Sequence, residues 1–173
     1  MPEKSQSSDN PYPGVNVPDK IIVHHTAYDA ATFQYPLVNE WHKQRGFPLS
    51  TMGSYVGYHY LIEQDGSMTQ CRSESEGGAH ARGQNFGSIG ICLAGNFVGK
   101  APTSAQVISL TRLMYTIMQR IPTITADCIF PHRHFNNTEC YGSTLSDSWA
   151  ADLVRQIDPT DMQALTIESG ELG

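Results

Sequence analysis

Short apolar runs that alternate with helical segments constrain the fold of this chain more than any other feature. A β-branched run at residues 21–23 predicts a buried strand, and further strands are predicted at residues 58–62, 67–71 and 88–94. Asp65 and Gly66 predict a hairpin turn between the second and third strands. Helices are predicted at residues 36–44, 104–119 and 147–156. The alternation predicts an α/β fold, a single domain with a central mixed β-sheet flanked by helices.

Local signals support two of these helices. Thr103 and Gln106 form a capping-box pattern before the helix at residues 104–119. Its apolar residues share one face, which we expect to enter the core: Val107, Leu110, Met114, Ile117 and Met118. The helix at residues 36–44 is expected to stop at Gly46. Its predicted apolar face consists of Leu37, Val38 and Trp41.

Composition divides the chain into three parts. Residues 1–18 hold Ser, Asn, Pro and Gly with few large apolar side chains, which predicts an irregular arm. Residues 19–157 form the predicted domain, and residues 158–173 read as a weakly ordered acidic tail. No apolar run approaches the ~18 residues that span a bilayer, so we expect no membrane insertion. The polar N-terminus lacks the apolar core of a secretory signal, and we expect no signal peptide.

Charge and cysteine content narrow the function classes. The formal net charge is -6 and no Lys/Arg-rich run occurs, so nucleic acid is not an expected partner. Because the chain is itself acidic, any affinity for an anionic polymer must come from a shaped binding site and not from overall charge. We expect the protein to be a monomer. The four cysteines are widely spread: Cys71, Cys92, Cys128 and Cys140. They could form two disulfides, but the pattern favours reduced thiols with one given to a metal.

Histidines cluster at two points of the chain. His24 and His25 end the first strand, while His132 and His134 lie shortly before Cys140. Imidazole and thiolate are the usual zinc ligands, and three protein ligands leave a position for a reactive water. Neighbours on a strand point to opposite faces, so only one histidine of the first pair reaches such an ion. Spacing alone does not show which histidine of either pair would bind the metal. The alternative is that these histidines bind no metal and form hydrogen bonds to the backbone.

A series of short motifs then follows between about residues 20 and 140. The motifs are IIVHHTA at 21–27, WHK at 41–43, GYHYLI at 57–62, GAHA at 78–81, SIGI at 88–91, GNF at 95–97 and the stretch 132–140. Their order resembles the type-2 N-acetylmuramoyl-L-alanine amidases, which include the amidase-type phage lysozymes and the peptidoglycan recognition proteins. The resemblance covers most of the domain and implies the amidase/peptidoglycan-recognition-like fold.

The resemblance also implies a site. It places a catalytic Zn²⁺ on His24, His132 and Cys140, which leaves His25 and His134 in supporting roles. Tyr58 matches a family tyrosine that is expected to assist the attacking water. Thr138, two positions before the cysteine, is expected to steady the oxyanion.

Three more residues lie in the Gly-rich connection whose family counterpart lines the substrate groove. These expected substrate-binding residues are His80, Arg82 and Asn85. Arg133 is a further candidate for supplying positive charge near the oxyanion. The chain departs from the family at Tyr141-Gly142, where Pro-Gly is common, and we expect the turn to persist because the glycine is kept.

The resemblance therefore predicts hydrolysis of the amide between the muramic acid lactyl group and L-alanine of bacterial peptidoglycan. The alternative is a recognition module that binds peptidoglycan without cutting it. Binding-only members commonly lose the ligand cysteine, so Cys140 together with Tyr58 favours the enzyme. The expected setting is a phage endolysin held in the host cytoplasm until release to the wall, although a bacterial recycling enzyme also fits.

Overall fold

The structure, a computed structural model, describes residues 16–157 of the chain. The predicted acidic tail and most of the predicted arm lie outside these residues. Five strands form one sheet: β1 (Lys20–His25), β2 (Tyr60–Ile62), β3 (Met68–Gln70), β4 (Ser88–Leu93) and β5 (Ile129–Pro131). The described part also contains three α-helices: α1 (Tyr35–Gln44), α2 (Ser104–Arg120) and α3 (Trp149–Arg155).

The sheet is mixed, with the order β3-β2-β4-β1-β5. Strand β1 is parallel to both β4 and β5, β2 is parallel to β4, and β3 is antiparallel to β2. The predicted hairpin turn joins β2 to β3, where Gly66 has a φ of 87° and the Asp65 carboxylate accepts from the Ser67 N–H. The predicted mixed sheet is therefore confirmed.

Alternation along the central strands divides their side chains between two layers. Ile21, Val23 and Ile91 belong to the larger core, which α2 and α3 cover. Cys92 points the other way, into a smaller cluster with Leu61 and with Val38 of α1. Because side chains alternate along a strand, β1 delivers its two terminal histidines to opposite layers.

The helices follow their local signals. The capping box of α2 is present, with the Thr103 hydroxyl accepting from the Gln106 N–H at 3.1 Å and the Gln106 side chain accepting from the Thr103 N–H at 3.1 Å. Gly46 follows α1 with a φ of 81°. The predicted face of α1 was wrong in one respect, since Leu37 is exposed and the buried residues of the helix are Val38 and His42.

Strand β5 was not predicted. It has three residues, ends in a proline and pairs only with β1 at the edge of the sheet. A proline is tolerated there because an edge strand need not donate on its outer side. Within residues 16–157, no helix is both long and apolar enough to cross a membrane.

Candidate metal centre

Three side chains from distant parts of the sequence meet beside the sheet. His24, His132 and Cys140 each offer one ligand atom, and these atoms all lie within 4.8 Å of one another. The ligands of a tetrahedral zinc ion are about 3 to 4 Å apart, so the three side chains lie close enough together to hold such an ion. The fold thus brings together the three residues that the sequence analysis expected to bind a metal.

Strand direction decides which of the two neighbouring histidines joins the triad. His24 is buried on the α1 side, with its ring centroid 4.5 Å from that of His132. His25 faces the larger core, where its Nδ1 accepts from the Phe97 N–H at 3.1 Å. Burial lowers the pKa of His25 to about 4, so this ring is a neutral backbone acceptor.

The other two ligands come from the segment that follows β5. His132 opens a short 3-10 turn, His132–His134, directly after Pro131. Cys140 is held in place by its neighbours, since its carbonyl accepts from the Arg133 N–H at 2.8 Å and its Sγ accepts from the His25 N–H at 3.3 Å. Burial raises the pKa of the Cys140 thiol to about 12.

Hydrogen bonds leave one nitrogen of each histidine for a metal. Nε2 of His24 lies 2.8 Å from Nδ1 of His80, and Nε2 of His132 lies 2.8 Å from Oδ1 of Asn136. Metal-binding histidines ordinarily engage their second nitrogen in this way. Two neutral imidazoles and a thiol that becomes a thiolate on binding form a donor set that suits zinc. The residues present therefore fit the expected ion.

Tyr58 lies next to this triad. Its ring centroid is 5.0 Å from that of His24. Burial raises the pKa of Tyr58 well above its ordinary value, and the nearby Cys92 thiol raises it further. The phenol therefore keeps its proton at neutral pH and is a hydrogen-bond donor.

Two cavities are lined by residues of this site, one by Tyr58 and the other by His132. One has a volume of about 470 Å³ and is lined by Tyr58, His42 and Trp41 among others. The other has a volume of about 900 Å³, and its wall includes His132 and Thr138. The larger cavity, which has a residue of the triad in its wall, is large enough to hold a ligand.

The three expected substrate-binding residues all line the larger cavity, but they differ in what their polar atoms do. Arg82 is exposed. His80 is buried, with one nitrogen against His24 and the other 3.1 Å from the Ser88 hydroxyl. The Asn85 Oδ1 accepts from the backbone N–H groups of His80 and Ala81 at 2.7 and 2.9 Å. Asn85 therefore shapes the loop.

Arg133 has partners away from the triad. Its guanidinium donates to the Asp147 carboxylate at 2.6 Å and to the carbonyls of Gly142 and Leu145 at 2.9 and 2.5 Å. These contacts hold the turn after Cys140. The expected turn is present, with Gly142 at a φ of 118° and its N–H donated to the Glu139 carbonyl at 2.7 Å.

Sequence reasoning did not single out two residues of the site. Asn136 contacts His132 from four positions further on, a spacing that a short turn after the histidine would have suggested. Arg45 lines both cavities and follows the Trp41-His42-Lys43 motif at the end of α1. Its position two residues after a motif was visible in the sequence, but its place in the walls of two cavities depends on the fold.

The fold and the triad agree with one protein family. A sequence profile of the family described as N-acetylmuramoyl-L-alanine amidase matches residues 14–143, and the chain belongs to this family. The predicted family is thus confirmed, and the match spans all three residues of the triad.

Particular relatives are known from structures and sequences. The chain is 32% identical to the N-acetylmuramoyl-L-alanine amidase LysC from Clostridium intestinale URNW, with a TM-score of 0.66 over 80% of this chain and 85% of that one. It is 28% identical to peptidoglycan-recognition protein SC2 of Drosophila melanogaster over 125 residues, 72% of this chain and 68% of the relative. It is 36% identical to the endolysin of Escherichia phage T7 over 88 residues, 48% of this chain and 54% of the relative.

Proposed function

We propose that this protein is a zinc-dependent N-acetylmuramoyl-L-alanine amidase, which hydrolyses the amide between the muramic acid lactyl group and L-alanine of peptidoglycan. One observation carries the proposal: the ligand atoms of His24, His132 and Cys140 lie within 4.8 Å of one another, and His132 lines a cavity of about 900 Å³. Three protein ligands are the arrangement of catalytic zinc sites, whereas structural sites close with four.

The residues around the triad supply the rest of the chemistry. Zinc in a three-ligand site supplies a water nucleophile at neutral pH and Lewis-acid polarisation of the carbonyl. Tyr58, which keeps its proton, donates a hydrogen bond that positions the reacting oxygen. Thr138 accepts from the Cys140 N–H at 3.2 Å, so its own hydroxyl hydrogen remains to be donated to the developing oxyanion.

The cavities indicate how the substrate lies. A chain bound in the larger cavity, whose wall includes His132, would bring its scissile amide to the triad. Arg45 lines both cavities and Arg82 lines the larger one. Guanidinium groups match the carboxylates of peptide stems, so we assign the stem to the larger cavity and its carboxylates to these two arginines. His80 and Asn85, whose polar atoms bond within the protein, define the shape of the wall.

We further propose that the protein acts as an endolysin on the bacterial cell wall, because amidase lysins and a phage endolysin are among its relatives. The second candidate is a peptidoglycan-binding module without catalysis. The similarity to a peptidoglycan-recognition protein favours that candidate. Cys140 and Tyr58, which are both present, favour the enzyme.

Zinc content and bond cleavage, measured on the same preparation, test the proposal. We expect about one zinc per chain by elemental analysis, and release of new L-alanine amino termini from purified peptidoglycan that stops on chelation. Cys140→Ser should lose both zinc and release. Cys128→Ser is the matched control, because this half-buried thiol lies by Thr123 and Thr125, apart from the triad. A protein that binds zinc but releases no amino termini would favour the non-catalytic binding module. Wild-type turnover by Cys140→Ser would overturn the proposal.

Tyr58→Phe tests the role of the phenol. A hydrogen bond to a charged group is worth about 1.5–3 kcal/mol, so we expect kcat to fall about 10- to 100-fold while KM and zinc content stay near the wild-type values. A variant with unchanged kcat would remove Tyr58 from the reaction.

A further inference from the structure

We propose that the loop at residues 78–87 sets the tautomers of both metal-binding histidines. Through His80 and Asn136 it keeps a proton on Nε2 of His24 and of His132, which leaves the Nδ1 lone pair of each for the metal. His80 and Asn136 are then positioning residues. This inference rests on the metal centre proposed above, but it concerns a property of the protein that exists before any metal binds.

The first chain of hydrogen bonds ends on a backbone carbonyl. The Ser88 hydroxyl lies 2.5 Å from the Gln84 carbonyl oxygen, which can only accept, so Ser88 must donate its one hydrogen there. Toward Nε2 of His80, 3.1 Å away, the Ser88 oxygen can then only accept, so this nitrogen carries the hydrogen. A neutral imidazole carries one N–H. Nδ1 of His80 therefore accepts, and Nε2 of His24, 2.8 Å away, donates.

A second chain ends on the same loop. The Arg82 carbonyl oxygen accepts from Nδ2 of Asn136 at 3.1 Å. That contact fixes the amide orientation, because only the NH₂ group can donate. Oδ1 of Asn136 is thereby turned toward Nε2 of His132 at 2.8 Å, and this nitrogen must donate. Two carbonyls two residues apart in the loop, at Arg82 and Gln84, thus determine the protonation pattern of both histidines.

The loop is built to hold these groups in place. Asn85 accepts from the N–H groups of His80 and Ala81, and its own carbonyl accepts from the Gly78 N–H at 3.0 Å. Two glycines make room for the His80 ring. A Cβ at Gly78 would lie 2.4 Å from that ring and a Cβ at Gly90 would lie 2.6 Å from it. The His80 ring therefore occupies a space that exists only because residues 78 and 90 are glycines.

Zinc affinity provides the first test. Removal of a group that orients a metal ligand costs about 10- to 100-fold in affinity, so we expect that loss in His80→Ala, measured by competition with a chromogenic chelator. His80→Asn retains an acceptor near the former Nδ1 and should recover most of the loss. Ser88→Ala should weaken zinc binding in the wild-type background but not in the His80→Asn background, where no relay is needed. Cys128→Ser, which alters a half-buried thiol apart from the triad, is the control and should leave zinc affinity unchanged.

Imidazole nitrogen NMR of the metal-free protein provides the second test. We expect the Nε2–H form for both His24 and His132 in the wild type. Ser88→Ala should mix the tautomers of His24 alone, and Asn136→Ala those of His132 alone. A wild-type Nδ1–H form at either histidine, or equal effects of each variant on both, would overturn the inference. A protein that passes this test and binds zinc but cleaves nothing would refute the amidase proposal and leave the inference standing.

Discussion

Replacing Gly90 by alanine places a methyl group against the buried His80 ring. The added Cβ would lie 2.6 Å from Cγ, 2.7 Å from Cδ2 and 2.8 Å from Nδ1 of that ring, whereas carbon atoms in contact are about 3.5–4.0 Å apart. Strand β4 cannot move to relieve the overlap. The Gly90 N–H donates to Nδ1 of His59 at 3.0 Å, its carbonyl accepts from the His59 N–H at 2.9 Å, and the residue pairs with Ile22 of β1. The ring of His80 must therefore be displaced.

The size of the effect follows from two opposing terms. Overpacking in a tightly packed core costs about 1–3 kcal/mol, and alanine in a strand gains about 0.5–1 kcal/mol over glycine. We expect a net loss of roughly 1–2 kcal/mol in the free energy of unfolding. At about 2–4 °C per kcal/mol for a chain of this length, Tm should fall by roughly 2–8 °C. Because the displaced ring no longer meets His24, zinc affinity should also fall, by about tenfold or more.

Urea unfolding followed by circular dichroism measures the first effect, and chelator competition measures the second. Gly99→Ala is the matched control, since a Cβ at Gly99 meets no atom within 4 Å. If Gly90→Ala were as stable as Gly99→Ala and bound zinc as tightly as the wild type, the steric argument for the space around the His80 ring would be refuted.

Further predictions concern pH, an ion pair and the oxyanion. Desolvation lowers the pKa of His42 and of His59 to about 4 from about 6.5 in the unfolded chain. Their contribution to stability is present above about pH 6.5 and is lost as the pH falls toward 4. These two residues alone should therefore lower the free energy of unfolding by about 3–4 kcal/mol between pH 7 and 5. A flat urea profile would contradict this. Arg120→Ala removes a bidentate, partly exposed pair with Glu74, at 2.9 and 2.8 Å, and should cost about 0.5–1 kcal/mol, less in high salt. Thr138→Val should lower kcat about 100-fold or more at unchanged KM while Thr138→Ser stays active, and equal kcat in the two variants would argue against oxyanion contact.

Local signals sufficed for much of the fold. The capping box at Thr103 and the hairpin turn at Asp65 are short-range features, and the structure contains both. Strand β5, Ile129–Pro131, depends instead on a pairing partner about a hundred residues earlier, and nothing within its three residues indicates it. Leu37 was assigned to a core face by helical spacing, but only tertiary packing decides which part of a helix stripe is covered.

The site divides in the same way. The sequence contained the ligand types, but the choice between His24 and His25 required either the family resemblance or the strand direction that the structure supplies. The positioning roles of His80 and Asn136 were beyond local reasoning. They depend on the approach of the loop at residues 78–87 to His24, 56 residues before His80, and to Asn136, 54 residues after Arg82.

Because the three ligands come from two separate parts of the chain, an ion bound by them would cross-link those parts. His24 ends a central strand, whereas His132 and Cys140 belong to the segment after an edge strand, next to Tyr141 and the Trp149 ring that packs on it with centroids 5.5 Å apart. Closing a long loop restricts the open chain most, so the ion would suppress local opening of the C-terminal segment more than opening of the sheet. Chelation should therefore accelerate amide hydrogen exchange in residues 132–155 while β1 and β4 stay protected.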